Sequence, residues 1–179
     1  MPEPVARVVL VGMMGSGKSR VGAELARRLG WQHVDLDRAI ERAEGRPIPR
    51  IFAEDGEAAF RALEARETAR LADRTRMVLA PGGGWVTNPA LPASLGPGTL
   101  VVWLRVSAAE AARRAAGEPG SRPLLAGGDP VARLEALLAE REPLYARAAA
   151  LRIDTDGRTP QQVADEIMNE IRVRGLAPS

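Results

Sequence analysis

Gly12-Met13-Met14-Gly15-Ser16-Gly17-Lys18-Ser19 follows directly on the apolar run Val8-Val9-Leu10-Val11. The stretch meets every fixed position of the phosphate-binding pattern G-x-x-x-x-G-K-[ST], in the strand–loop–helix setting that gives the pattern its meaning. Glycines let the backbone wrap a polyphosphate and turn N–H groups inward, onto a helix N-terminus that favours anions. Lys18 adds a cation for the β- and γ-phosphates, and Ser19 a hydroxyl for Mg²⁺. Behind the loop, Val21, Leu25, Arg28 and Leu29 have the spacing of an amphipathic helix. A glycine-rich turn matching by chance would carry none of this context. The loop residues Gly12, Gly15, Ser16, Gly17, Lys18 and Ser19 are therefore expected to bind a nucleoside triphosphate.

Size and composition narrow the field. The chain has 179 residues, 45% apolar and 27% charged, which suits a globular fold and one domain over 1–179. Aromatic residues are 3%, too few for stacking platforms on single-stranded nucleic acid, and the formal charge of +2 announces no polyanion-binding surface. With no cysteine, disulfides, thiolate catalysis and Cys-based metal sites are excluded. No apolar run approaches the ~18 residues of a membrane span, and Met1-Pro2-Glu3-Pro4 lacks an apolar signal core. The expectation is a cytoplasmic, monomeric enzyme with neither nucleic acid nor membrane as partner.

Strand-length apolar runs alternate with longer helical patterns, the mark of a parallel α/β sheet. Strands are expected over 7–11, 32–36, 77–80, 99–104 and 151–153. Helices are expected over 18–29, stopped by Gly30, then 48–53, 57–73 with Phe60, Leu63, Glu67 and Leu71 near one face, and 108–116 capped by Ser107. Asp129-Pro130 and Thr159-Pro160 each pair an N-cap with a first-turn proline and open two further amphipathic helices. The fold class predicted is a three-layer α/β/α arrangement around a five-stranded parallel sheet, of the P-loop kinase type. The Gly/Pro-rich stretch 117–128, with Arg122 inside it, is the candidate mobile lid.

A phosphate loop specifies a nucleotide and leaves the reaction open. Asp35-Leu36-Asp37 stands just beyond the second strand, where open sheets bind ligands. On an extended segment the two carboxylates would share a face; if Leu36 begins a helix they diverge, one to metal and one to acceptor. A kinase uses both, and the bland alternative is that Asp37 merely caps a helix starting at Arg38. Gly82-Gly83-Gly84 lose backbone entropy on folding, and close approach to a ligand or a tight bend would justify them. Arg61, Arg122, Arg141 and Arg158 are candidate anion grips, among which sequence pattern alone does not choose.

From Val9 to about Ile171 the chain resembles the shikimate kinases. The resemblance is carried by the phosphate loop, Asp35-Leu36-Asp37, Ile51-Phe52-Ala53-Glu54-Asp55-Gly56-Glu57, Phe60-Arg61, Gly82-Gly83-Gly84, Arg122-Pro123-Leu124-Leu125 and Arg141-Glu142-Pro143-Leu144-Tyr145. It implies that Lys18 and the loop amides hold ATP, with Ser19 and Asp35 on the Mg²⁺ side. Asp37 would bind the acceptor hydroxyls and serve as base, within a substrate-binding segment of about 35–64. Arg61 and Arg141 would clamp the shikimate carboxylate, with Gly83 and Gly84 offering backbone contacts. Arg122 would neutralise the transferring phosphoryl group, and Arg114 and Arg158 would lie near adenine. Trp85 departs from the family's usual small or aliphatic residue, and either enters the pocket or packs beside it. Of Met13 and Met14, one is expected to pack beneath the loop and the other to stay more exposed. His33 reads as a strand residue, since no second histidine exists.

The resemblance implies transfer of the ATP γ-phosphoryl group to the 3-hydroxyl of shikimate. A gluconate kinase-like or other small-molecule P-loop kinase is the alternative enzyme. A regulatory module that has lost catalysis would predict damage at Lys18, Asp37 or Arg122, and all three are intact.

Overall fold

The structure, a computed structural model, describes residues 3–116 and 128–178. Five strands form one all-parallel sheet: β1 (Arg7–Val11), β2 (Gln32–Asp35), β3 (Met77–Ala80), β4 (Thr99–Arg105) and β5 (Leu151–Asp154), in the spatial order β2-β3-β1-β4-β5. Side chains alternate along each strand, and both faces are apolar. Val9 and Val11 of β1 join Met77 and Leu79 of β3 and Val101 and Trp103 of β4 in one core. Val8 and Leu10 join Val78, Leu100, Val102 and Leu104 in the other. Two helices cover that second face: α1 (Lys18–Leu29), through Val21 and Leu25, and α8 (Pro160–Arg174), through Val163, Ile167 and Ile171. The first face is covered by α2 (Leu36–Glu44), α3 (Ile48–Asp55), α4 (Glu57–Arg70), α5 (Ala90–Ser94), α6 (Ala108–Ala116) and α7 (Pro130–Ala148). The expected three layers are present.

Most expected boundaries hold within a residue or two, because their signals are local. Gly30 ends α1 in the left-handed conformation and donates to the Ala26 and Arg27 carbonyls. Thr159 forms a full capping box with Gln162, and Asp129 caps α7 through the Val131 amide. Of the two readings of Asp35-Leu36-Asp37, the helix beginning at Leu36 is the one present: Asp35 is the cap and accepts from the Arg38 amide at 3.2 Å, and Asp37 sits in the first turn. One expectation is corrected: α4 stops at Arg70, not Asp73, because Leu71, Ala72 and Arg74 each bond the carbonyl three residues back and tighten the chain into turns. α3 runs to Asp55 and ends at Gly56. The 3₁₀ turn Trp85–Thr87 and short α5, which carries Pro92 in its only turn and a half, gave no periodic signal.

Candidate active site

The phosphate loop joins β1 to α1 at the carboxyl edge of the sheet. Its glycines are required by conformation and by space. Gly12, Gly15 and Gly17 have φ of 152°, 77° and 91°, which side-chain-bearing residues rarely adopt. A Cβ on Gly12 would stand 2.5 Å from the Leu104 carbonyl oxygen, and one on Gly15 would stand 2.9 Å from that of Ala111. Beneath the loop Met13 is buried, while Met14 is half-buried, the division expected. Ser16 is buried, and Lys18 Nζ donates to the Gly12 carbonyl and, at 3.0 Å, to that of Met13. Lys18 thus lies over the loop it serves. Ser19 is exposed in the first turn of α1.

A second cluster is organised by Gly82-Gly83-Gly84 after β3. None of the three has positive φ, so a tight bend is not why they are glycines. Each lacks a side chain where another residue approaches. A Cβ on Gly82 would stand 3.1 Å from Asp37 Oδ1, and one on Gly83 3.0 Å from an Arg141 guanidinium nitrogen. On Gly84 it would collide with the guanidinium of Arg61. Three neighbouring glycines thus bring together an acid from α2, a cation from α4 and a cation from α7. Asp35 and Asp37 diverge as expected for a helix starting between them, with Asp35 turned to the α2 amides and Arg38.

Arg61 is held on its own helix. Its guanidinium donates to Glu64 Oε1 at 2.9 Å and to Glu57 Oε1 at 3.4 Å, and lies 5.4 Å from the centre of the Phe60 ring. Glu64 is a member of this cluster that the sequence reading passed over. It is 1% exposed, its Oε2 has no hydrogen-bond partner among the described residues, and burial raises its pKa against the pull of Arg61. Asp37 adds to that rise and Arg141 opposes it, so Glu64 feels Arg61, Asp37 and Arg141 together. The signal was available: Phe60, Glu64, Glu67, Thr68 and Leu71 recur at helical spacing, and a carboxylate on a buried stripe three residues from an arginine marks a held cation.

The arginines implied near adenine both reach the end of β5. Arg114 bonds the Gly15 carbonyl at 2.9 Å and the Thr155 carbonyl at 2.9 Å, so it ties the phosphate loop to the loop after β5. Glu110 holds Arg114 at 3.0 Å and Arg113 as well, and these two bring its carboxyl down to about 2. Arg158 pairs with Glu166 at 2.7 Å and reaches the Asp154 and Gln162 carbonyls. His33 is a β2 residue, as expected; its Nε2 faces Gly22 of α1, and burial lowers its pKa. Trp85 is fully buried, and its Nε1 donates to Thr68 Oγ1 at 3.0 Å, so the indole packs beside the cleft. The lid reading and Arg122 fall in residues 117–127, outside the described residues.

Comparison with known proteins agrees with the fold and gives the family. The family pattern for shikimate kinase matches residues 14–172. A shikimate kinase of Mycobacterium tuberculosis is 48% identical over 168 residues, 93% of this chain and 94% of that protein. The structure of a shikimate kinase from Acinetobacter baumannii in complex with shikimate superposes with a TM-score of 0.88 at 35% identity, covering 98% of this chain and 97% of that one. A gluconokinase from Sinorhizobium meliloti, at 18% identity and a TM-score of 0.57 over 97% of this chain and 94% of its own, shares the fold alone. With its phosphate loop, its acid and its two arginines gathered on three glycines, the chain belongs to the shikimate kinase family.

Proposed function

We propose that this enzyme transfers the γ-phosphoryl group of ATP to the 3-hydroxyl of shikimate, giving shikimate 3-phosphate and ADP. One observation carries the reading: Asp37, Arg141 and Arg61 each close on one of three successive glycines. A polyol acid needs such a set, with a carboxylate for a hydroxyl and two guanidiniums for a carboxylate.

In this reading Arg61 and Arg141 grip the shikimate carboxylate, and Glu64 keeps Arg61 in place. The grip fixes the ring so that the 3-hydroxyl meets Asp37. Asp37 orients that hydroxyl and takes its proton as the new O–P bond forms and the bond from the γ-phosphorus to the departing ADP breaks. The loop amides from Gly12 to Ser19 and the ammonium of Lys18 hold the phosphates, and Lys18 leaves its carbonyl partners to do so. Arg122 neutralises charge on the transferring group, and Arg114 and Arg158 flank the base. Positioning and electrostatics supply the acceleration, since the phosphoryl group itself needs little covalent help.

The donor set also fits Mg²⁺. No group of three or more His, Cys, Asp or Glu suited to a metal occurs among the described residues. One hydroxyl, Ser19, and one carboxylate, Asp35, suit a hard cation that arrives with phosphates and keeps several waters. When bound, the ion would neutralise phosphate charge; Asp35, already turned by its cap, would hold one of its waters. We take the enzyme to be a cytoplasmic monomer, which sedimentation and fractionation check; among the described residues no helix is long and apolar enough to cross a membrane.

The test is ADP release from ATP with shikimate, with gluconate and with no acceptor. Release that depends on shikimate is the expected result. Equal release with gluconate, or hydrolysis without acceptor at the same rate, would overturn the assignment.

A further inference from the structure

Three glycines in a row have no side chains with which to anchor their own loop. Yet Gly82–Gly84 form the surface on which Asp37, Arg141 and Arg61 meet. The anchors come from neighbours. The Gly82 carbonyl accepts the Trp85 amide at 3.1 Å, the Gly83 carbonyl accepts the Tyr145 hydroxyl at 2.7 Å, and the Gly84 carbonyl accepts the Thr87 hydroxyl at 2.6 Å. Two of these bonds are local to the 3₁₀ turn. Tyr145 ties the middle glycine to α7, and a separate contact ties the end of the run to α4.

That contact is Trp85 with Thr68, both with no exposed surface. The indole Nε1 donates to Thr68 Oγ1 at 3.0 Å, and the same hydroxyl donates to the Glu64 carbonyl at 2.7 Å. One hydroxyl thus uses its proton on its own helix and offers a lone pair to the loop. The carboxylate of Glu64 in turn holds Arg61, whose guanidinium rests on Gly84, the residue before Trp85. The contacts close a ring: Gly84, Trp85, Thr68, Glu64, Arg61 and back to Gly84. A shift of the loop against α4 breaks at least one buried bond in that ring.

We propose that Trp85 and Thr68 are positioning residues for the acceptor. They set the height of the triple-glycine surface against the guanidinium of Arg61, and so the gap into which a carboxylate fits. The inference rests on the reading of Arg61 and the glycines as the acceptor site. Trp85 acts from behind, since its ring lies in the core formed with Phe60, Leu91 and Tyr145. Filling that core is a different role from positioning, and the two predict different kinetics. Loss of a filler lowers stability without favouring one substrate. Loss of a positioning bond falls on shikimate and spares ATP, whose loop lies on β1 and α1.

The experiment measures ADP release with both substrates varied, in the parent enzyme and in Thr68→Val, Thr68→Ser and Trp85→Phe, with urea unfolding as the check on folding. Thr68→Val keeps the shape and removes the hydroxyl; Thr68→Ser keeps the hydroxyl. For Thr68→Val and Trp85→Phe the shikimate KM is expected to rise about three- to ten-fold with the ATP KM within about two-fold of the parent, as for loss of one net hydrogen bond. Thr68→Ser should stay near the parent. Unchanged shikimate KM in a less stable Thr68→Val, equal rises for both substrates, or a Thr68→Ser as impaired as Thr68→Val would overturn the proposal. If Trp85→Phe fails to fold, the Val and Ser variants decide. A parent enzyme without shikimate-dependent release would overturn the functional reading itself, an outcome distinct from these.

Discussion

The two sides of the cleft are held by opposite means. On the proposed phosphate side the backbone would be the binding surface, and Gly12, Gly15 and Gly17 are there for left-handed or otherwise restricted conformations. On the proposed acceptor side Gly82, Gly83 and Gly84 have ordinary conformations and are there for missing volume, so that side chains from α2, α4 and α7 converge on them. A polyphosphate presents many equivalent oxygens, and a ring of amides suits it. A small hydroxy acid presents a few distinct groups, and only side chains set at fixed positions tell them apart. The phosphate side is therefore contiguous in sequence and the acceptor side is assembled from distant elements.

Substitutions should respect that division. The largest effect is expected for Lys18→Ala, about a thousand-fold lower kcat, because it removes preorganised charge from the transition state. Its circular dichroism should match the parent, since Lys18 stands at the end of the phosphate loop and donates to the Gly12 and Met13 carbonyls of that loop. Near-normal turnover would break the account of the phosphate side. Next, Arg61→Ala and Arg141→Ala should each weaken shikimate binding roughly ten- to a hundred-fold, the worth of a charge-assisted bond, and leave ATP binding alone. Calorimetric titration with each ligand reads this directly, and equal losses for both would erase the distinction between the sides.

A smaller change is expected for Glu64→Gln. The amide still accepts from Arg61 but without charge, so the shikimate KM should rise roughly two- to ten-fold at constant ATP KM. Because burial raises the Glu64 pKa, folding disfavours its ionised form, and the parent loses stability as pH rises through the ordinary carboxylate range toward that raised value. The glutamine variant lacks this loss; identical pH profiles of urea unfolding would show that Glu64 carries no such strain. The smallest effect concerns His33, on the α1 face of the edge strand. Its pKa is lowered by burial, with Asp35 opposing and Arg38 assisting. The unfolded chain therefore binds a proton below the ordinary 6.5 that the folded chain refuses, and stability falls as pH drops below that point. Thermal melts of His33→Leu should decline less between neutral pH and about 5 than those of the parent; parallel curves would remove His33 as the source.

The same contrast explains what could be read in advance. The phosphate loop, the strands and the capped helices were legible because each depends on residues adjacent in sequence: Gly30 stops α1, Thr159 starts α8, and Lys18 follows Gly17. Arg61 and Arg141 were singled out by resemblance, since nothing in their own neighbourhoods marks them over other arginines, whereas Asp37 stood out by its place just beyond the second strand. Glu64 and Thr68 escaped because a polar residue on a helix is exposed by default, so their place on the stripe of Phe60 and Leu71 was passed over; the structure buries both, with Trp85 bonded to Thr68. Whether α2 opens at Leu36 or at Arg38 stayed open in the sequence because two aspartates two residues apart both satisfy the local capping rule, and the structure takes Asp35 as the cap.

In the proposed transfer the two sides meet at one pair of groups, the acceptor hydroxyl and the carboxylate of Asp37. Asp37→Asn keeps the shape and the contact with Gly82 but accepts a proton poorly. Single-turnover phosphoryl transfer, measured by rapid quench with enzyme in excess over ATP and shikimate saturating, isolates that step from binding and release. The account predicts a rate about a hundred-fold or more below the parent, with both ligands bound at near-parent affinity. A parent-like rate of transfer would contradict it.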